Sequence, residues 1–135
     1  MTVGYSGTPL AKKLGYKPGM CAYVSDAPAD YRTQLKLEPG SVTWLDRPKA
    51  NADLIHVFVK EAAVLGKLLA RHLKQMARDG TIWVSWPKKA SKVPTDITED
   101  RIRAIALPLG LVDVKVCAVD EIWSGLKLVI RRELR

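Results

Sequence analysis

The stretch that decides the fold runs from Asp53 to Pro87 and reads DLIHVFVKEAAVLGKLLARHLKQMARDGTIWVSWP. Leu54–Val59 is a nearly unbroken apolar run, which is typical of a parallel strand covered on both faces. From Glu61 to about Arg78 the apolar residues recur at helical spacing, which predicts an amphipathic helix closed by Asp79-Gly80. Thr81–Trp86 is the next apolar run. The stretch therefore predicts a strand–helix–strand unit.

The sequence on either side continues the alternation of strands and helices. The first predicted element before this unit is a helix with Thr8 as N-cap, Pro9 at its first position and Gly15 just past its end. It is followed by a strand at Met20–Val24, a helix that starts within Ser25–Pro28 and ends at about Leu35, and a strand at Val42–Leu45. Those after it are a helix from Thr98 to about Leu107 and two strands, Leu111–Val119 and Leu126–Ile130. Two strands joined by a short loop form a hairpin, so the last strand is predicted to run antiparallel to its neighbours.

These elements predict an α/β, Rossmann-like fold with a mostly parallel sheet and an antiparallel terminal hairpin. The length of 135 residues fits a single domain, so residues 1–135 are predicted to form one domain. The apolar runs are much shorter than the roughly 20 residues that cross a bilayer, and no membrane partner is expected. The chain opens without a basic segment followed by an apolar one, so a cytoplasmic location is expected.

The chain is strongly basic, with a net charge of +8. Such a balance favours polyanions, so a nucleotide or a nucleic acid is the expected partner. The charges are scattered over several elements, which a solvated surface explains equally well. Cys21 and Cys117 lie in apolar runs and are predicted to be structural thiols; no metal site is predicted.

The pattern resembles the class I methyltransferase fold, whose members depend on S-adenosylmethionine (SAM). Asp53–Pro87 matches that fold's fourth strand, the following helix and the fifth strand, and Leu111–Ile130 matches the sixth and seventh strands. Four phrases resemble an uncharacterised bacterial family of short, methyltransferase-like domains: Gly4–Gly15, Trp83–Lys89, Thr95–Asp100 and Val116–Leu126. That family has no assigned activity, so this second resemblance implies a fold but no chemistry.

The methyltransferase resemblance implies a glycine-rich turn after the first strand, where backbone approaches the cofactor. The matching stretch, Ser25–Asp30, contains no glycine. The resemblance also implies a carboxylate after the second strand for the ribose hydroxyls, and Asp46 stands there, although a solvated turn residue explains it too. No room is left for a third strand and helix before Asp53, and Val59–Ala62 replaces the Asn-Pro-Pro-aromatic phrase of many amino-methylating members. A minimal SAM-dependent methyltransferase that uses Asp26, Asp46 and Trp86 is therefore the alternative hypothesis.

Two loops at the carboxyl ends of the strands carry richer chemistry, because ligands of open α/β sheets bind at that edge. The predicted ligand-binding residues are Trp86, Lys88, Lys89, Ser91, Lys92, Asp120, Glu121, Trp123 and Ser124. Lysines would supply charge, Ser91 a hydrogen bond and the indoles a stacking face, while Asp120 or Glu121 would orient a lysine or bind a ligand hydroxyl. The leading hypothesis is a non-catalytic binding or adaptor module for an anionic partner, with no cofactor. A third hypothesis is a protein-interaction domain that could form a homo-oligomer through an edge strand.

Simpler explanations compete with these site predictions. Trp86 and Trp123 would then be lids on the core, while charges of the two loops pair with each other at the surface. The Ser6–Thr8 segment before the first helix would bind an anion or merely cap that helix. His56 alternates with apolar residues in a strand, which predicts a hydrogen-bonded core histidine rather than a base. No catalytic residue is predicted.

Overall fold

Six strands and four α-helices alternate along residues 8–47 and 51–135, the parts of the chain that the computed structural model describes. They are α1 Leu10–Leu14, β1 Cys21–Ser25, α2 Tyr31–Leu35, β2 Thr43–Trp44, β3 Ala52–Phe58, α3 Ala62–Leu73, β4 Met76–Pro87, α4 Glu99–Ala106, β5 Leu111–Ala118 and β6 Trp123–Ile130. Short 3-10 turns occur at Lys89–Ser91, Leu107–Leu109 and Arg132–Leu134.

The strands form one sheet in the order β2-β1-β3-β4-β6-β5. The first four of these run parallel to one another, and β6 lies antiparallel to both β4 and β5. The predicted α/β sheet with an antiparallel terminal hairpin is confirmed. Because β1 pairs with β2 on one side and with β3 on the other, the direction of chain progression reverses between β1 and β3.

Side chains alternate across the sheet and build two cores, one on each face. On the α3/α4 face, Ile55 and Val84 pack in one cluster with Leu65, Leu69 and Ile102 of the covering helices. On the α1/α2 face the cluster contains Leu14, Tyr31, Leu54, Phe58 and Trp83. The helices on this second face are only five residues long each.

The boundary between α3 and β4 differs from the prediction. The helix ends at Leu73, and Asp79-Gly80 lies inside β4 rather than closing a helix. The pairing of β4 with β3 already begins at Met76, opposite Ala52. A Cβ atom on Gly80 would lie 3.0 Å from the carbonyl oxygen of Asp53, so glycine is needed where β4 passes close to β3.

The starts of the first two helices are also shifted. The N-cap of α1 is Pro9 rather than Thr8, whereas Gly15 ends this helix with a φ of 90°, as predicted. The second helix starts at Tyr31, because Ser25 completes β1 and the chain then turns sharply at Asp26.

The start of α4 agrees with the sequence. Thr98 is its N-cap and accepts a hydrogen bond from the Arg101 N–H at 3.1 Å. The longest helix, α3, has 12 residues, and none in the described ranges is long and apolar enough to span a membrane.

Both cysteines are free thiols in strands of the sheet. Cys21 begins β1 and Cys117 lies in β5, and each is half-buried. Burial raises the pKa of the Cys117 thiol, although the nearby charges of Lys13 and Lys115 act against this rise. A thiol held in its neutral form fits the predicted structural role.

Candidate ligand cleft at the carboxyl edge of the sheet

An open cleft of about 330 Å³ lies at the carboxyl edge of the sheet, next to the reversal between β1 and β3. Its lining residues come from the ends of three strands and from the start of α3: Asp26, Phe58, Val59, Lys60, Glu61, Val64 and Trp123. In open α/β sheets the point of reversal is the usual place for a ligand, because the chains that leave the two strands diverge there. The cleft is therefore the candidate site.

One wall of the cleft is aromatic and held in place from below. The rings of Phe58 and Trp123 meet edge to face, with centroids 5.1 Å apart. Phe58 in turn stacks on the imidazole of His56 at 4.3 Å. Aromatic faces offer apolar contact and also attract cationic groups, so this wall suits a ligand that carries a positive centre.

The charged groups of the cleft carry a net negative charge. Asp26 and Glu61 supply carboxylates, and Lys60 supplies one ammonium group. The Lys60 carbonyl accepts a hydrogen bond from the Thr95 hydroxyl at 2.7 Å, and Asp96 accepts one from the Ala62 N–H at 2.8 Å. The segment before α4 therefore holds the start of α3 in place. This balance favours a cationic or zwitterionic ligand over an anion.

Asp26 occupies an unusual backbone conformation at the edge of the cleft. Its φ is 58°, in the left-handed region that glycine adopts most easily. Aspartate is among the few other residues that tolerate this region. The turn after β1 therefore reverses sharply without the glycine that the methyltransferase resemblance implies.

A chain of buried hydrogen bonds lies below the aromatic wall. The hydroxyls of Tyr16 and Tyr31 are 2.8 Å apart, Tyr31 lies 2.7 Å from Nδ1 of His56, and Nε2 of His56 lies 2.6 Å from the Ser85 hydroxyl. Burial lowers the pKa of His56 to about 3, so its ring is neutral at pH 7. Burial likewise raises the pKa of both tyrosines well above the usual range. The predicted hydrogen-bonded core histidine is confirmed, whereas its partners were not identified from the sequence.

The two loops singled out in the sequence are neighbours in the structure. The Lys88 N–H donates to the carbonyl of Ile122 at 2.7 Å, and Pro87 pairs with Trp123. Lys89 and Lys92 are exposed beside them. Of the two loops, however, only Trp123 lines the cleft.

The polar side chains of these loops mostly hold the loops themselves. The Ser91 hydroxyl donates to the Lys88 carbonyl at 2.6 Å and accepts from the Val93 N–H at 3.2 Å. Asp120 Oδ1 accepts from the N–H groups of Ile122 and Trp123, each at 2.8 Å. Asp120 therefore positions the turn that presents Trp123, which is a structural use of its carboxylate.

The remaining predicted loop residues stand apart from the cleft. Glu121 is exposed. Ser124 lies within β6, where it pairs with Trp86 and Ala118. Neither residue lines the cleft.

Trp86 and Trp123 lie on opposite faces of the sheet. Trp86 is 8% exposed in the core of the α3/α4 face, whereas Trp123 packs on Phe58 at the other face. The interpretation of Trp86 as a core residue is thereby confirmed. Its ring does not line the cleft, and its contact with a ligand stays a prediction.

The predicted pairing of charges between the two loops is wrong. Within residues 8–47 and 51–135, every ion pair has an arginine as its cation: Arg101 with Asp96, Arg103 with Glu99, Asp100 and Asp113, and Arg131 with Glu133. The lysines of the first loop lie beside Asp120 and Glu121 without such a pair, because the Asp120 carboxylate is turned to backbone N–H groups.

Asp46 lies at the same edge of the sheet as Asp26. It follows β2 by two residues, and β2 is parallel to β1, so both side chains leave strands at their carboxyl ends. Asp46 is exposed and does not line the cleft. The proposed anion site at Ser6–Thr8 falls largely outside the described residues.

Five cleft residues besides Trp123 and Asp26 were not among the predicted site residues: Phe58, Val59, Lys60, Glu61 and Val64. Lys60 and Glu61 follow the predicted strand Leu54–Val59, but nothing in their side chains distinguished them. The usable signal was topological. After the β1–α2–β2 unit the chain crosses to the other side of β1 and forms β3. The reversal in strand order therefore lies between β1 and β3, and a ligand is expected beside the carboxyl end of β3.

Comparison with solved structures identifies the class of fold as methyltransferase-like and Rossmann-like. A SAM-dependent methyltransferase from Aquifex aeolicus matches with a TM-score of 0.61 at 16% identity, over 90% of this chain and 88% of that one. Magnesium protoporphyrin IX methyltransferase (ChlM) from Synechocystis PCC 6803 with bound SAM gives 0.59 at 12% identity, over 90% and 74%.

LepI in complex with SAM also gives 0.59, at 9% identity, over 92% of this chain but only 47% of LepI. The chain thus spans about half of that protein. No family model matches the sequence, and no curated protein matches it. At such low identities the likeness defines the fold.

Proposed function

We propose that this chain binds SAM, or a closely related adenosine compound, in the cleft and acts as a small methyltransferase-like domain. The observation that carries the proposal is the lining of the cleft: two carboxylates, one lysine and an aromatic wall at the reversal between β1 and β3. Solved neighbours of the same fold include proteins in complex with SAM. The SAM-binding hypothesis, which was the alternative in the sequence analysis, is thereby preferred to the adaptor module for an anionic partner.

The residues of the cleft fit the methionyl end of SAM. That end carries an ammonium, a carboxylate and a positively charged sulfonium. Asp26 and Glu61 would bind the ammonium, Lys60 the carboxylate, and the indole of Trp123, which packs on Phe58, the sulfonium. When bound, SAM supplies a transferable methyl group. Val64 and the aromatic wall would shield this end of the ligand from water.

Asp46 would serve the ribose end. It stands at the carboxyl end of β2, where a carboxylate can accept hydrogen bonds from ribose hydroxyls, and it is exposed to an incoming ligand. The glycine-free turn at Asp26 is the main departure from the fold's usual pattern. No residue is assigned a catalytic role, so binding and methyl transfer are separate questions for experiment.

Binding is tested by calorimetry and thermal shift with SAM and with its demethylated product, S-adenosylhomocysteine. Asp26→Asn keeps a residue that tolerates positive φ but removes the charge, and Glu61→Gln removes the second carboxylate. Loss of one charge-assisted hydrogen bond of about 1.5–3 kcal/mol predicts roughly 10- to 100-fold weaker binding. Glu121→Gln, an exposed carboxylate outside the cleft, is the matched control and should bind like the original chain.

The outcome against the proposal is equally specific. If neither SAM nor its product stabilises the fold, while ATP does so in a salt-sensitive manner, the cleft is not a SAM site. The adaptor hypothesis would then lead again, with Lys88, Lys89 and Lys92 as its anion-binding groups. Neutralising those three lysines would have to abolish the ATP response. The protein-interaction hypothesis predicts no shift with any of these ligands.

A further inference from the structure

Two lysines face each other directly across the terminal hairpin. Lys115 of β5 and Lys127 of β6 are register partners, so their side chains leave the same face of the sheet side by side. Like charges in that position destabilise a strand pair. The pairing is therefore costly for the fold unless something outside the fold neutralises it.

The α1 segment adds two more ammonium groups to the same region. Nζ of Lys13 donates to the carbonyl of Ala118 at 3.3 Å, which places α1 against the end of β5. Lys17 follows α1. Burial, and then the charges of Lys115 and Lys17, lower the pKa of Lys127, so these three groups are electrostatic neighbours. We name Lys13, Lys17, Lys115 and Lys127 the basic patch.

No ion pair in the described parts of the chain involves any of these four lysines. The carboxylates that form ion pairs there are all held by arginines, away from the basic patch. Asp113, although it lies in β5, pairs with Leu128 on the opposite face and binds Arg103 at 2.9 Å. The patch therefore presents lysines without ion-pair partners on the face that the short helices cover only in part.

We propose that the basic patch binds the phosphate backbone of a nucleic-acid duplex, without sequence preference and independently of the cleft. Lysines act as point charges that suit phosphate, as the lysine of phosphate-binding loops does. Single-strand binding relies on exposed aromatic rings, and the large hydrophobic side chains exposed in the described ranges are all aliphatic.

Fluorescence anisotropy with a short labelled DNA duplex, between about 50 and 200 mM salt, tests this proposal. Lys115→Gln with Lys127→Gln should weaken binding at least tenfold at the lower salt and reduce the slope of log affinity against log salt by about two. Lys67→Gln with Lys74→Gln is the matched control, since Lys67 lies on α3, Lys74 is the C-cap of that helix, and both are exposed on the other face of the sheet. This control makes the same change in net charge and should leave the slope unchanged.

The melting temperature distinguishes loss of the binding contact from loss of folding. Removing two facing like charges should raise it at low salt in the Lys115/Lys127 variant, together with the loss of binding. Equal losses in the two double variants would overturn the proposal, because binding would follow net charge alone. Loss confined to Lys88→Gln with Lys89→Gln would place the contact in the other loop. Tighter binding of a single strand, or equal competition by polyglutamate, would also overturn it.

Discussion

Nε2 of His56 lies 2.6 Å from the hydroxyl oxygen of Ser85, at the centre of the sheet, and both residues are 0% exposed. The contact joins β3 to β4, and through Nδ1 the same ring is bound to Tyr31 of α2. A neutral imidazole donates at one nitrogen and accepts at the other, so both ends of the ring are satisfied. The histidine thus fixes α2 and the base of the cleft at once, since Phe58 stacks on its ring.

This arrangement makes stability depend on pH. The imidazole titrates near 6.5 in the unfolded chain, whereas its pKa in the folded chain is about 3. Between these values the unfolded state binds more protons, so the free energy of unfolding falls as the pH decreases through this window. We expect a slope of up to about 1.4 kcal/mol per pH unit, measured by urea unfolding from pH 7 to 4.5.

His56→Gln should be less stable at pH 7 but should lose most of that slope. His72→Gln is the comparison, because burial also lowers the pKa of His72, and this variant should keep the contribution of His56. An unchanged slope in the His56 variant would show that other groups carry the pH dependence.

Two glycines should respond in opposite directions to the same substitution. A Cβ atom on Gly80 would lie 3.0 Å from the backbone oxygens of Ala77 and Asp53, whereas on Gly66 it would meet only a side-chain atom of Ile105 at 3.9 Å. We expect Gly80→Ala to destabilise by about 1–3 kcal/mol through overpacking. Gly66→Ala should stabilise α3 by about 0.5–1 kcal/mol. Denaturant midpoints measure both, and a neutral Gly80 variant would contradict the close approach of β4 to β3.

The succession of strands and helices along the chain could be predicted because its signals are local. The apolar run of β3 and the stripe of α3 depend only on sequence spacing. The end of α3 could not be predicted, because Leu73 and Met76 continue the helical spacing in the sequence. In the structure Met76 already pairs with Ala52 as part of β4. Helical periodicity contains no information about a partner strand, so a boundary set by pairing escapes it.

Only part of the site could be predicted, because the sequence gives the positions of the loops but not the order of the strands in the sheet. Carboxyl-end loops follow from strand positions, and this found the turn of Asp120 and Trp123. Strand alternation also implies that Trp86 shares a face with Val84, but not which face holds the cleft. Phe58 went unnoticed because it ends an apolar run whose members look alike in sequence. Only the three-dimensional order of the strands sets it apart.

Trp83 joins the sheet to α1, and the two effects of its removal can be separated. Its Nε1–H donates to the carbonyl of Leu14 at 2.7 Å, and its side chain is 0% exposed. Trp83→Phe leaves a void and also a buried carbonyl without that donor, which adds about 1–3 kcal/mol of destabilisation. Trp86→Phe opens a comparable void in the opposite core. Equal losses of stability in thermal or urea unfolding would show that the hydrogen bond contributes nothing net.

The turn before β6 offers a test of how the cleft is held open. Asp120 Oδ1 accepts from both Ile122 and Trp123, and the indole of Trp123 then meets Phe58 edge to face. Asp120→Ala removes both hydrogen bonds, so we expect a loss of about 1–2 kcal/mol in stability and a mobile Trp123. Its fluorescence should shift to the red, and SAM affinity should fall with the loss of a preorganised wall. Glu121→Ala, one residue along in the same loop and exposed, should change neither property. If both variants bind SAM alike while only Asp120→Ala shifts the fluorescence, Trp123 is no part of the ligand site, and the sulfonium must be held by the carboxylates alone.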